Sequence, residues 1–207
     1  MKPSPYKAKV TDIEELQQGK WIQTRKVNYT DPAGKARVWE MAVRTTRTET
    51  TGLDAVSILA FLQKNDSKHI VLVKQFRPPC EKVVVELPAG LIDPKESVEL
   101  TAVRELLEET GYHGTFVRLL HTEMPLFSDP GLTNANMALA TVEIDAKDPR
   151  NSDPQPQLED GEFIEVFTLP TKGFLAGLID VCSREGCVVD ARLYHLAFGL
   201  EMAETLS

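Results

Sequence analysis

Residues 90 to 112, GLIDPKESVELTAVRELLEETGY, constrain this chain more than any other stretch. Ser97 is a good N-cap, Glu99 falls in the first turn and Gly111 is placed just past the end, so the spacing predicts a helix from about 98 to 110. At about 100° per residue, Glu105, Glu108 and Glu109 fall within about 100° of arc. Val103, Leu106 and Leu107 occupy the opposite side, with Ala102 at its edge, and are expected to face the core. Three carboxylates then share one face near the helix C-terminus. There the macrodipole favours cations, and like charges at i,i+4 cost roughly 0.2–0.5 kcal/mol per pair. Arg104 offsets part of this by pairing with Glu108. A hard divalent cation offsets more, because Mg²⁺ takes oxygen ligands and is held by few protein carboxylates plus water and phosphate.

The same segment fits G-x5-E-x7-R-E-U-x-E-E-x-G-U, with U apolar, at each fixed letter: Gly90, Glu96, Arg104, Glu105, Glu108, Glu109 and Gly111. Only the final U departs, as Tyr112. With each letter used at roughly 6%, a chance match in this chain is below about one in a million, so a merely solvated acidic helix face does not account for it. The pattern is that of the Nudix box, and the chain resembles the Nudix hydrolases.

Composition narrows the partners. A formal charge of −8 argues against a nucleic-acid backbone, which is bound by clustered Lys and Arg, but leaves room for a small anionic ligand. Cys80, Cys182 and Cys187 show neither zinc-like pairs nor a disulfide framework and read as ordinary thiols of a reducing compartment. The start, MKPSPYKAKVTD, lacks the apolar stretch of a signal peptide, and the longest largely apolar run, Ala55 to Leu62, is too short for a bilayer. No membrane association is expected. The expected location is the cytoplasm, with nuclear residence open.

Along the chain, Trp21 to Thr30 and Lys35 to Thr46 flank Asp31-Pro32-Ala33-Gly34, which suits a type I turn, and are read as a hairpin. Residues 53–64 and 68–76 read as strands joined across Asn65-Asp66-Ser67, and Val83 to Leu87 as a short buried strand. Beyond the helix, 115–122 and 133–145 read as strands, Ala146 to Asp160 as a polar loop and Glu162 to Leu169 as a strand. Helices are expected near 170–179 and 190–205. Strands on both sides of a central helix, with helices closing the chain, predict an α/β or α+β sandwich. The resemblance implies an α/β/α sandwich over 53–207, preceded by an antiparallel β extension over 1–52.

Further segments extend the likeness. Val71 to Pro79, Val85-Glu86-Leu87-Pro88-Ala89-Gly90, Asp129 to Asn134 and Asp160-Gly161-Glu162-Phe163 resemble the ADP-sugar pyrophosphatase branch of the family. So do Gly19-Lys20-Trp21, Val38-Trp39-Glu40 and Arg44-Thr45-Thr46-Arg47. The family's proline after the box comes about two residues later here, as Pro130, which places a small insertion in 113–128. The resemblance implies that Glu105, Glu109 and the backbone oxygen of Ala89 bind Mg²⁺ (or Mn²⁺), with Glu108 as an additional or supporting acid. Arg104 would orient the carboxylates, Arg77 would contact phosphate, and Gly90 and Leu91 would let the backbone approach the ligand. Glu162 stands where this branch carries a catalytic acid. Trp21 and Trp39, ordinarily core residues in strands, would stack on adenine from opposite subunits of a homodimer, with Glu40, Arg44 and Asp129 nearby. Trp39 and Arg44 are five apart, so a regular strand puts them on opposite faces.

The reading that follows is hydrolysis of an ADP-sugar, ADP-ribose foremost, to AMP and a sugar phosphate. Its alternatives are another Nudix substrate, such as a UDP-sugar or a dinucleoside polyphosphate, and a non-catalytic module that senses a nucleotide.

Overall fold

The computed structural model describes residues 3–48, 51–64, 66–120 and 124–206. Its N-terminal part is an antiparallel three-stranded sheet in the order β1 (Lys9–Gln18), β2 (Ile22–Thr30) and β3 (Ala36–Arg44). The β2–β3 hairpin is as expected: the Gly34 amide donates to the Asp31 carbonyl at 2.9 Å, and Gly34 takes φ 84° to bring Ala36 opposite Thr30. β1 was not expected. Its apolar residues Val10, Ile13 and Leu16 recur every third position, because register shifts between Val10 and Asp12 and between Glu15 and Gln17 break the alternation that marks a strand.

The rest of the chain builds a larger mixed sheet from β4 (Ala55–Lys64), β5 (Ser67–Arg77), β6 (Lys82–Glu86), β7 (Ala89–Leu91), β8 (Thr115–Leu119), β9 (Leu126–Phe127), β10 (Asn136–Ile144), β11 (Ile164–Pro170) and β12 (Val188–Val189). β11 runs along one edge of β5, while the other edge is shared: Ser67 to Ile70 pair with β4, and Val73 to Arg77 with β6. β4 in turn pairs with β10 in parallel and, over Ala55 to Ser57, with β7. The sheet thus opens where β4 leaves β5, and β7, with Ala89, lies in that opening.

Helix α1 (Val98–Thr110) covers one face and α2 (Phe174–Glu185) and α3 (Ala191–Leu206) the other. Alternation along β4 serves both: Val56, Ile58, Ala60 and Leu62 pack under α1, and Leu59 under α2 and α3. The expected α/β/α sandwich is therefore what forms. Tyr112, the one departure from the box pattern, is buried in the cluster under α1, so an aromatic ring fills that apolar position.

Several expectations need correcting. The stripe of α1 that meets the sheet is Val98, Ala102, Leu106, Glu109 and Thr110, while Val103 and Leu107 are only half-buried. The core thus lies closer to the acidic face than hydrophobicity alone suggests, because α1 sits over β4 and β10 with its last turn against β7. In β6 only Val84 and Val85 are buried and Val83 is exposed. Glu162 precedes β11 rather than starting it. α2 starts at Phe174, after Pro170 has ended β11. β8 ends at Leu119; His121 and Thr122 at the expected end of that strand, like Asn65 and residues 49–50 by the expected boundary at 52, lie outside the described residues. So does His121 to Glu123 within the expected insertion.

Candidate active site

α1 is fixed at both ends by its own sequence. The Ser97 hydroxyl accepts from the Leu100 amide at 3.3 Å, and Gly111, at φ 73°, returns its amide to the Leu107 carbonyl at 2.8 Å. Burial of Leu106, worth about 1.5–3 kcal/mol, then sets the helix rotation that presents Glu105 and Glu109 to β7.

Glu109 is 6% exposed and accepts a hydrogen bond from the Ala89 amide at 3.1 Å. Burial pushes its carboxyl up to about 8; the Ala89 amide and Arg77 act against this, while the charges of Glu105 and Glu162 add to it. Glu105 is also raised by burial, against the pull of Arg104. Arg104 is the hub of the acids. Its Nη1 donates to Glu105 and to Glu108, both at 2.8 Å, its Nε and Nη2 to Glu96 at 3.0 and 2.8 Å, and its Nη2 also to the Leu91 carbonyl at 3.3 Å. Glu96, with Thr101 as a second donor at 2.7 Å, is held below its usual value chiefly by Arg104. The expected Arg104–Glu108 pair is therefore one of three hydrogen-bonded ion pairs of Arg104 among the described residues, with Asp93 a fourth acid at 4.0 Å.

Arg77, at the end of β5, donates through Nε to Glu86 at 2.7 Å. Glu162 lies in a bend in which its carboxylate accepts from the Glu159 amide at 3.0 Å, near enough to Glu105 and Glu109 for its charge to act on both. The structure thus gathers Ala89, Leu91, Arg104, Glu105, Glu108, Glu109, Arg77 and Glu162 around the opening of the sheet.

Trp39, Glu40 and Arg44 are on β3 of the three-stranded sheet instead and Trp21 is in the bend between β1 and β2, and no hydrogen bond or ion pair among the described residues joins them to the acids. The β2–β3 register is unbroken through Arg44, so Trp39 and Arg44 do lie on opposite faces. Trp21 and Trp39 are 58% and 52% exposed. Lys20 stands 4.4 Å over the Trp21 ring. The Trp39 indole donates to the Gly131 carbonyl at 3.0 Å, and the Ala42 amide to the Leu132 carbonyl at 3.0 Å, so β3 is tied to the loop that carries Asp129. An apolar cavity of about 440 Å³ opens there beside Tyr29, Trp39, Met41 and Phe127.

Oxygen donors beside buried acids suit a hard divalent cation, and such a cation would remove the cost of ionising Glu109. Among the described residues no three His, Cys, Asp or Glu side chains are gathered closely enough to ligate one together, since Glu105 and Glu108 both turn to Arg104. Two carboxylates and a backbone carbonyl are a set that this arrangement can offer. The sequence did not single out Glu86; its position just ahead of Leu87-Pro88-Ala89-Gly90 was the available signal.

The NUDIX domain model matches residues 53–178. The chain belongs to the Nudix family. This Nudix chain is 43% identical to the ADP-ribose pyrophosphatase of Saccharomyces cerevisiae, over 99% of its own length and 88% of that protein. It is 41% identical to the ADP-sugar pyrophosphatase of Mus musculus, over 98% of its own length and 91% of that protein. Among solved structures, an ADP compounds hydrolase matches with a TM-score of 0.60 at 20% identity, over 86% of each chain, a likeness of fold. Nudix hydrolases in general use divalent metal cations.

Proposed function

We propose that this protein hydrolyses ADP-sugars, ADP-ribose foremost, to AMP and a sugar phosphate, with Mg²⁺ as the cation and Mn²⁺ as a substitute. The observation that carries the reading is the pair of buried Glu109 and half-buried Glu105 set against the Ala89–Gly90 backbone, with Arg77 and Glu162 beside it. The two relatives named for ADP-ribose and ADP-sugar support the choice of substrate.

Glu105, Glu109 and the Ala89 carbonyl would hold the cation, with Glu108 as an additional or supporting acid. Bound there, a divalent cation neutralises diphosphate charge and lowers the pKa of water. Arg104 orients Glu105 and favours its charged form against the effect of burial. Arg77 holds phosphate oxygens in line, since catalysis of phosphoryl transfer is mostly positioning and charge stabilisation. Glu162 takes the proton of the attacking water at a carboxylate oxygen, after its bend gives up the Glu159 amide. Residues 1–52 form the β extension, and 53–207 the hydrolase domain. The protein acts as a homodimer in which Trp21, Glu40 and Arg44 of one protomer and Trp39 of its partner hold the adenine, with Leu91 and Asp129 completing the pocket.

Incubation with Mg²⁺ and a panel of ADP-ribose, other ADP-sugars, UDP-glucose and diadenosine polyphosphates, with products identified by chromatography, tests the reading. AMP and ribose 5-phosphate from ADP-ribose, at a kcat/KM at least about a hundredfold above that for UDP-glucose, is the expected result. Preference for UDP-glucose or a dinucleoside polyphosphate would overturn it.

A further inference from the structure

Among the described residues the Glu86 carboxylate has one hydrogen-bonded partner, the Nε of Arg77, at 2.7 Å. The backbone beneath it is fixed from several directions. The Asp190 amide donates to the Val85 carbonyl at 3.0 Å, Val85 pairs with Val189 of β12, and the Pro88 carbonyl accepts from the Ile58 amide at 2.8 Å. The Glu86 side chain is 13% exposed, whereas that of Arg77 is 43% exposed at a strand end followed by Pro78 and Pro79. A long arginine in that position has many rotamers available, and each one frozen on binding costs affinity. Arg77 stands opposite Lys82 in the ladder, yet its guanidinium reaches back along β6 to Glu86. The contact uses Nε. Among the described residues neither terminal nitrogen is hydrogen-bonded, and these form the fork that matches a phosphate bidentately.

We propose that Glu86 is a positioning residue: it holds Arg77 by Nε so that the two terminal nitrogens face the diphosphate of the substrate. The inference rests on the reading of Arg77 as a phosphate contact and adds the residue that aims it. A carboxylate beside a phosphate site also repels the ligand, so the two effects of Glu86 oppose one another and can be told apart by sign. Glu86→Gln keeps an oxygen that accepts from Nε and removes the charge. Glu86→Ala removes both. Charge alone predicts that both variants bind anions more tightly; positioning predicts that Ala weakens binding and Gln does not. The Arg192 guanidinium, held above its ordinary value first by Asp190 and also by the charge of Glu86, leaves a cation near position 86 in the parent and in both variants.

Calorimetry with Mg²⁺ and an ADP-ribose whose bridging oxygen is replaced by methylene reads affinity without turnover. We expect Glu86→Ala to raise Kd about tenfold, equivalent to about 1.4 kcal/mol, with Glu86→Gln within about threefold of the parent. In an Arg77→Lys background, which has no Nε, Glu86→Ala should change Kd by less than about twofold, since coupled residues are non-additive. Unchanged or tighter binding by Glu86→Ala, or an equal loss in the Arg77→Lys background, overturns the proposal. Circular dichroism melts of each variant separate misfolding from weak binding, and the Lys-background pair serves if Glu86→Ala alone is unstable. Should the parent protein ignore the ADP-ribose analogue, the substrate reading fails, and the same variants are titrated with inorganic pyrophosphate. Ala weaker than Gln there still supports Glu86, and no pyrophosphate binding by the parent overturns it.

Discussion

The carboxyl group of Glu105 lies directly over the α-carbon of Gly90: a β-carbon at Gly90 would fall 1.8 Å from the Glu105 Cδ. Glycine is needed here for space, since Gly90 is not among the positive-φ residues. Gly90→Ala is therefore expected to push Glu105 off β7. Activity should fall about a hundredfold, the scale of an ångström-sized misplacement at a reacting centre. Retention of activity within about threefold would show that Glu105 has other room.

Glu109→Gln should abolish most turnover and yet stabilise the metal-free protein at high pH. With a folded-state pKa of about 8 against an ordinary 4.5, Glu109 contributes stability that is complete below the ordinary value and lost as pH rises through about 8. Melting in EDTA at pH 5 should be alike for parent and variant; by pH 9 the variant should melt higher, by about 2–4 °C per kcal/mol for a chain of this size. Added Mg²⁺ should raise the parent alone. A variant that melts lower than the parent throughout contradicts the assignment.

For Glu162→Gln the expected loss is in kcat, on the order of 10²–10⁴-fold, with KM little changed, because a general base acts on the transition state. Steady-state kinetics on ADP-ribose decides this. A change confined to KM makes Glu162 a binding residue.

The shared-site dimer predicts complementation. Trp21→Ala and Trp39→Ala should each lose affinity, and a mixture of the two should exceed both parents, because a heterodimer rebuilds one intact site. Sedimentation of the unmodified protein as a fully active monomer at micromolar concentration would rule the arrangement out.

Much of this was legible locally. Ser97 and Gly111 delimit α1 because capping acts within one helical turn, and Asp31 to Gly34 mark a hairpin because turn chemistry is equally short-ranged. The spacing of Glu105, Glu108 and Glu109 on one helix likewise fixes a shared acidic face before any packing is known. β1 escaped notice because its two register shifts exist only in its pairing with β2. The face of α1 that is buried was set by where β4, β7 and β10 lie beneath it, which is why Glu109 ended inside and Val103 at the margin.

By itself, then, the sequence determined the helix, its acidic face, the hairpin and the family, all of which follow from interactions a few residues long or from a spaced pattern. Only the tertiary structure decided that Glu105 rests on Gly90, that Arg104 gathers Glu96, Glu105 and Glu108, and that Arg77 reaches past its ladder partner to Glu86. Those pairings depend on how the sheet opens and how the helix is rotated upon it, and burial summed over the whole core sets both.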